Sequence, residues 1–153
     1  MGECCSVGNG KASAAESRCP GCGQVGKPVA LLTLKSLLKP EALERLDPQA
    51  AYAFCATPHC PVVYFGGQGG PFDTDDVKVA VYQKDPGADV PVCYCFGWTR
   101  RRIQDELART GKSTAAAAIA AHVKAGRCGC EVNNPQGACC LGNVQAFVRG
   151  MRA

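Results

Sequence analysis

Phe54-Cys55-Ala-Thr-Pro-His-Cys60-Pro-Val62-Val-Tyr-Phe65 places two thiols at the junction of two strand-like stretches, and Cys19-Pro-Gly-Cys22-Gly places two more earlier in the 153-residue chain. Packing alone gives cysteines no reason to recur at short fixed spacing. A tetrahedral metal ion does, because two thiolates must converge on it from each of two tight turns. Gly21 and Gly23 relieve the first turn sterically. The second spacing, Cys-x4-Cys, falls within the range used by zinc knuckles. Cys19, Cys22, Cys55 and Cys60 are therefore read as the ligands of a structural zinc ion. His59 is an alternative to Cys60, ranked lower because a residue next to a ligand points away and four thiols already close the site. A redox Cys-x-x-Cys would need a thioredoxin-like strand-helix context, and it would leave Cys55 and Cys60 without a use.

Outward from these knuckles, Val29 to Leu34, Ala51 to Cys55 and Val62 to Phe65 read as short apolar strands, and Val77 to Tyr82 alternates as a fourth. Pro40 to Leu46 suits a brief helix with proline at its first position. Gly66-Gly-Gln-Gly-Gly70 reads as a loop, since it lacks the lysine and following helix of a phosphate-binding site. Beyond Asp85-Pro-Gly the pattern turns helical. Trp98 to Thr110 and Ser113 to Ala125 form two helices, N-capped by Thr99 and Ser113 and closed by Gly111 and Gly126. A short third helix, which Asn143 begins or continues, opens at Cys139-Cys140. The expected fold is α+β, with a mobile tail (1–18), a small zinc-ribbon-like β-sheet half (19–90) and a helical half (91–153).

The helical half holds six more of the twelve cysteines: Cys93, Cys95, Cys128, Cys130, Cys139 and Cys140. They cluster just before the first long helix, just after the second and at the start of the third. Helix starts offer unpaired N–H groups and a positive dipole end, which stabilise an anionic two-iron cluster held by four thiolates. Neighbouring side chains diverge in extended backbone, so one of Cys139 and Cys140 is left over, as is one of Cys128 and Cys130. Ile103 and Leu107 share one helix face, and Ile119 and Val123 share another. Both faces would cover the cluster or simply form core.

Composition narrows the setting. Eighteen glycines and ten prolines imply many turns and a thin core, which metal cross-links would reinforce. The first ten residues lack the apolar stretch of a signal peptide and no membrane span is present, so the thiols are expected reduced, in the cytoplasm. Met1-Gly2 with Ser6 formally matches a myristoylation pattern, with Cys4 and Cys5 as palmitoylation candidates. The net charge of +4 is mild and demands neither nucleic acid nor an anionic membrane. Arg100-Arg101-Arg102 in a first helical turn opposes the dipole, and reads as a docking patch for an acidic partner, counter-charge to a nearby cluster, or a solvated face. With two histidines and no Ser-His-Asp order, no hydrolytic constellation competes. A metal-reductase activity is the most that the chain offers as an enzyme.

Taken in order, Cys19-x-x-Cys22, Phe54-Cys55 with Cys60 and Val62-Val-Tyr-Phe65, Val92-Cys-Tyr-Cys95, Arg127-Cys-Gly-Cys130 and Asn134-Pro-Gln-Gly-Ala-Cys-Cys140 resemble the N-terminal domain of the larger CopZ-type copper chaperones. The resemblance runs from about Cys19 to Gly150. It implies one zinc, at Cys19, Cys22, Cys55 and Cys60, and one [2Fe-2S] cluster, at Cys93, Cys95, Cys130 and Cys140, in a second half similar to bacterioferritin-associated ferredoxin. It further implies a metallochaperone of soft-metal homeostasis whose cluster reduces Cu(II) to Cu(I) for a copper-transporting P-type ATPase or another soft-metal transporter. An electron donor would re-reduce the cluster. The larger chaperones continue into a heavy-metal domain with its own copper-binding Cys-x-x-Cys, whereas this sequence ends at Ala153. The Cys4-Cys5 pair is a candidate for capturing copper(I), or simply a solvent-exposed pair, and Cys128 and Cys139 are alternative spare thiols for metal exchange or redox chemistry. The alternative is a ferredoxin-like electron-transfer module without metal cargo.

Overall fold

The computed structural model describes residues 17–152, so the Cys4-Cys5 pair and most of the expected tail lie outside the described residues. The first half is built on an antiparallel sheet of four short strands in sequence order: β1 (Lys27–Val29), β2 (Tyr52–Phe54), β3 (Val62–Phe65) and β4 (Phe72–Asp73). Lys27 faces Phe54, Phe54 faces Tyr64 and Tyr64 faces Phe72, with a register shift between Val62 and Tyr64. Every residue of β2 and β3 is buried, because both sheet faces are covered. Val63, Tyr64, Phe54 and Phe72 join the main core, while Val62, Phe65 and Ala53 pack around Cys19, Cys55 and Cys60.

Two sequence expectations change here. Residues 29–34 are not one strand: β1 ends at Val29 and α1 (Leu31–Leu37) begins. The run Leu31-Leu-Thr-Leu-Lys-Ser-Leu37 repeats leucine every third residue, which turns Leu34 and Leu37 to the core, and a short apolar run looks alike in either structure. The helix stops before Pro40, which opens α2 (Pro40–Leu43) as expected of a proline at the first position. Val77 to Tyr82 is likewise not a strand. Val77 makes one bridge to Leu38, and Val77 and Val81 are buried in the main core with Val79 partly buried against it, so the alternation records burial without a ladder. The edge is taken instead by β4, too short to be read from sequence.

The second half opens with a hairpin of β5 (Pro91–Cys93) and β6 (Trp98–Thr99), its turn eased by Gly97 at φ 70°. Helix α3 (Arg100–Thr110) follows, with the Thr99 hydroxyl accepting from the Arg102 N–H at 3.1 Å and Gly111 closing it in the left-handed conformation, as the sequence predicts. Helix α4 (Ala115–Lys124) starts one residue later than expected: Thr114 is its N-cap position, and Ser113 Oγ accepts from the Ala115 N–H instead. Glu106 reaches across to Thr114, accepting from its N–H at 2.7 Å and from its hydroxyl. A single turn, α5 (Cys130–Asn133), precedes α6 (Leu141–Arg152), which is a full twelve-residue helix rather than a short one. Ile103 and Ile119 are fully buried, and with Leu107, Val123 and Val144 they pack on Cys93 and Cys140.

The halves are packed together. Helix α1 lies on α5, and Tyr64 Oη donates to the Pro135 carbonyl at 2.5 Å. The arginine triplet makes local contacts, with Arg101 and Arg102 still exposed. Arg100 donates to the carbonyls of Tyr82, Asp85 and Gly87, Arg101 pairs with Asp89 at 2.8 Å, and Arg102 lies over the Trp98 ring at 3.7 Å. No helix among the described residues is long and apolar enough to cross a membrane.

Candidate metal centres

The first centre joins a turn to a hairpin. Cys19 and Cys22 sit in a turn closed by the Arg18–Val25 bridge, with the Gly23 N–H donating to the Cys19 carbonyl at 2.8 Å. Cys55 follows the last residue of β2, and Cys60 stands two residues before β3. The four sulfurs all lie within 4.8 Å of one another, with Cys19···Cys60 and Cys22···Cys55 at 3.7 Å. Four thiolates at a Zn–S distance of about 2.3 Å would stand about 3.8 Å apart in a tetrahedron, so the donor set fits zinc in number, chemistry and spacing. Cys19, Cys55 and Cys60 are buried and Cys22 is half-buried, whereas His59 is exposed and outside the group.

The surroundings of these sulfurs are polar where they need to be. The Gly21 N–H donates to Cys19 Sγ at 3.3 Å, and Thr57 Oγ1 lies 3.3 Å from Cys22 Sγ. The Thr57 hydroxyl, helped by the Gln24 backbone, holds the Cys22 thiol down at about 6. Burial pushes Cys19 up to about 12 and raises Cys60 as well. Without metal, the site thus retains protons that an incoming cation must expel. Lys84, which no sequence motif marks, donates from Nζ to the carbonyls of Thr57 at 2.7 Å and Cys60 at 2.8 Å, and stands 3.7 Å from Cys55 Sγ. One ammonium group therefore ties down the second knuckle and offsets part of its negative charge.

Residues 16–78 match the family model of a zinc binding domain. The similarity falls on all four cysteines. Copper chaperone CopZ of Archaeoglobus fulgidus is 32% identical over 123 residues, covering 80% of this chain and 57% of that protein. The chain thus spans little more than half the length of this relative. The X-ray structure of the Archaeoglobus fulgidus CopZ N-terminal domain superposes with a TM-score of 0.71 at 29% identity, covering 86% of this chain and 97% of that one. The matched zinc-binding segment and the four-cysteine group together support zinc at the first centre.

The second set is gathered from three stretches of chain. Cys93 ends β5, Cys95 lies in the hairpin turn, Cys130 opens α5 and Cys140 immediately precedes α6. Cys95 and Cys130 approach to 3.7 Å. The Cys140 thiol interacts with those of Cys130 and Cys93, which raises it, while the same Cys140 contact lowers Cys93 to about 7. The Gly129 N–H donates to Cys95 Sγ at 3.2 Å, with Asn133 Nδ2 at 3.8 Å. Cys93, Cys130 and Cys140 are buried, while Cys95 is half-buried. Gly129 and Asn133 were not marked by sequence.

Proposed function

We propose that the chain is a CopZ-like metallochaperone module in which zinc at Cys19, Cys22, Cys55 and Cys60 fastens the β half, while Cys93, Cys95, Cys130 and Cys140 hold a [2Fe-2S] cluster. The observation that carries the second assignment is the approach of these four thiols from three stretches of chain, the β5–β6 hairpin, the start of α5 and the residue before α6, with N–H donors on Cys95 and an apolar cover. Cys95 meets Cys130 at 3.7 Å and Cys140 interacts with both Cys130 and Cys93, so the set offers the four thiolates that a two-iron cluster would need. A bound cluster would supply one-electron transfer. The residues around it exclude water on the side of Ile103, Ile119 and Val144 and leave Cys95 nearest to solvent, the side from which an electron would enter or leave. The reaction this suits is reduction of Cu(II) to Cu(I), the form soft thiolates bind. A reductant would supply the electron, and a copper-transporting P-type ATPase in the cytoplasmic membrane would receive the ion.

The test is elemental analysis, a visible spectrum and electron paramagnetic resonance of anaerobically purified protein. One zinc and two irons per chain are expected, with a rhombic signal after reduction. Cys140→Ser should lose iron and keep zinc, and Cys139→Ser should keep both. Reduced protein should convert Cu(II) to Cu(I), read with a copper(I)-specific chelator. Colourless protein carrying zinc alone would refute the cluster, whereas an intact cluster that leaves Cu(II) unreduced would leave an electron-transfer module without cargo.

A further inference from the structure

Gln83 and Lys84 are adjacent in sequence yet fasten to different centres. Lys84 holds the Cys55–Cys60 knuckle through the Thr57 and Cys60 carbonyls. Gln83 Nε2 donates at 2.7 Å to Gln136 Oε1, in the loop that leads to Cys140. Gln136 organises that loop. Its Oε1 also accepts from Asn143 Nδ2 of α6 at 2.9 Å, its Nε2 donates to the carbonyls of Ala138 and Cys139, and its N–H donates to Asn134 Oδ1. Only one orientation of the side-chain amide satisfies all four side-chain contacts, since the oxygen meets two NH2 groups and the nitrogen meets two carbonyls. Asn134 is 2% exposed and donates to the Ala138 carbonyl as well. The loop is therefore folded around one glutamine, and that glutamine is tied to the β half.

The segment carrying Gln83 and Lys84 is itself held from the opposite side. Tyr94 Oη accepts from the Tyr82 N–H at 2.9 Å, and Arg100 donates to the Tyr82 carbonyl at 2.6 Å while stacking on its ring. A displacement at Lys84 is thus poorly absorbed by its own segment and passes to Gln83. When the first centre loses its metal, the knuckle that Lys84 grips loses its cross-link and opens locally, which is the kind of event that spreads along a continuous hydrogen-bonded path.

We propose that Gln83 and Gln136 transmit metal occupancy of the four-cysteine centre to the loop 134–140, making Gln136 a positioning residue for Cys140. The coupling stands without iron. Its consequence, that zinc loss loosens the cluster, rests on the cluster assignment above.

Amide hydrogen exchange read by mass spectrometry tests the path in the full chain without iron, zinc-loaded and chelator-stripped, for wild type, Gln83→Leu and Gln136→Glu. In wild type, stripping zinc should speed exchange of residues 134–140 about fivefold or more, the factor a lost hydrogen bond gives, while α4 is little changed. Zinc-loaded Gln83→Leu should show the faster loop with its zinc content intact, and stripping should then add little. Gln136→Glu keeps both acceptor contacts but turns a carboxylate oxygen toward the Ala138 and Cys139 carbonyls, so its loop should exchange fast in either state. A loop indifferent to zinc, a Gln83→Leu variant that matches wild type in both states, or acceleration of all segments together would overturn the proposal. Iron reconstitution separates the two claims: a wild type that takes up no iron defeats the cluster assignment, and the exchange data still decide the coupling.

Discussion

Alanine at Gly21 should damage the first centre through one atom. A Cβ built there would stand 2.9 Å from Cys60 Sγ, 3.1 Å from Val62 Cγ2 and 3.7 Å from Cys19 Sγ. Optimal contact between such atoms is about 3.5–4.0 Å, so the sulfur or the turn has to give by about half an ångström or more. Neither yields freely. Cys60 Sγ is 3.7 Å from Cys19 Sγ, the spacing zinc requires, and the Gly21 N–H is committed to Cys19 Sγ. Overpacking of this kind costs roughly 1–3 kcal/mol. If the cost falls on the bound state, zinc affinity drops about 5- to 150-fold, at about 1.4 kcal/mol per decade. Gly23 supplies the control: its φ is +76°, and a Cβ there meets nothing within 4 Å. Gly23→Ala should lower overall stability by the roughly 1–2 kcal/mol of a left-handed residue without crowding any sulfur. Competition with a chromophoric zinc chelator, with cobalt(II) absorption as a probe of tetrahedral sulfur ligation, separates the two. A Gly21→Ala protein with wild-type zinc affinity and an unchanged cobalt spectrum would refute the reasoning.

Three further outcomes follow from single contacts. Lys84→Met leaves two carbonyls and Cys55 Sγ without their cationic donor, and zinc affinity measured by the same competition should fall about 10- to 100-fold, as for other outer-shell partners. In zinc-free protein at pH 7, Cys22 should be the most rapidly alkylated thiol of its group, with a rate midpoint near its value of about 6, and buried Cys19 the slowest; peptide mapping after iodoacetamide reads both. Glu106 is held below its ordinary range by the Thr114 hydroxyl, so its contribution is present above the unfolded carboxyl value of about 4.3 and is lost as pH falls through the lower folded value. The melting-temperature difference between wild type and Glu106→Gln should therefore shrink from pH 6 to pH 3, modestly, since solvent screens this half-exposed group.

Features written in local chemistry were legible in the sequence. The Cys-x-x-Cys and Cys-x4-Cys knuckles, the strands 52–54 and 62–65, the proline opening α2 and the Thr99 and Gly111 caps all depend on residues within a few positions of each other. What escaped depends on distant partners. Lys84 reaches carbonyls 27 and 24 positions away, and Gln83 meets Gln136 across 53, with nothing in either segment to announce it. Leu31–Leu37 escaped because the apolar run 29–34 is strand-like by itself, and the third-residue leucine repeat becomes visible only with Leu37. The local partners of the arginine triplet were equally hidden. Charge in a first helical turn read as a docking patch, counter-charge or a solvated face, and did not announce the carbonyls of Tyr82, Asp85 and Gly87 that Arg100 meets, the Asp89 carboxylate beside Arg101, or the Trp98 ring under Arg102.

The distribution of the core explains why cysteine carries so much of this fold. The largest buried cluster lies between α1 and the sheet, and a second fills the space among α3, α4 and α6. The third, at the knuckle end of the sheet, has six buried members, of which Cys19, Cys55 and Cys60 are three. Ala53, Val62 and Phe65 alone cannot repay the ordering of two knuckles, at about 1–2 kcal/mol per residue of backbone entropy and roughly 1.5–3 kcal/mol per large apolar side chain buried. A bound ion supplies the difference as folding free energy. Stripping it should open the knuckle end first and leave the α1 core standing, so the loss would travel along the Lys84 and Gln83 contacts rather than through the apolar interior.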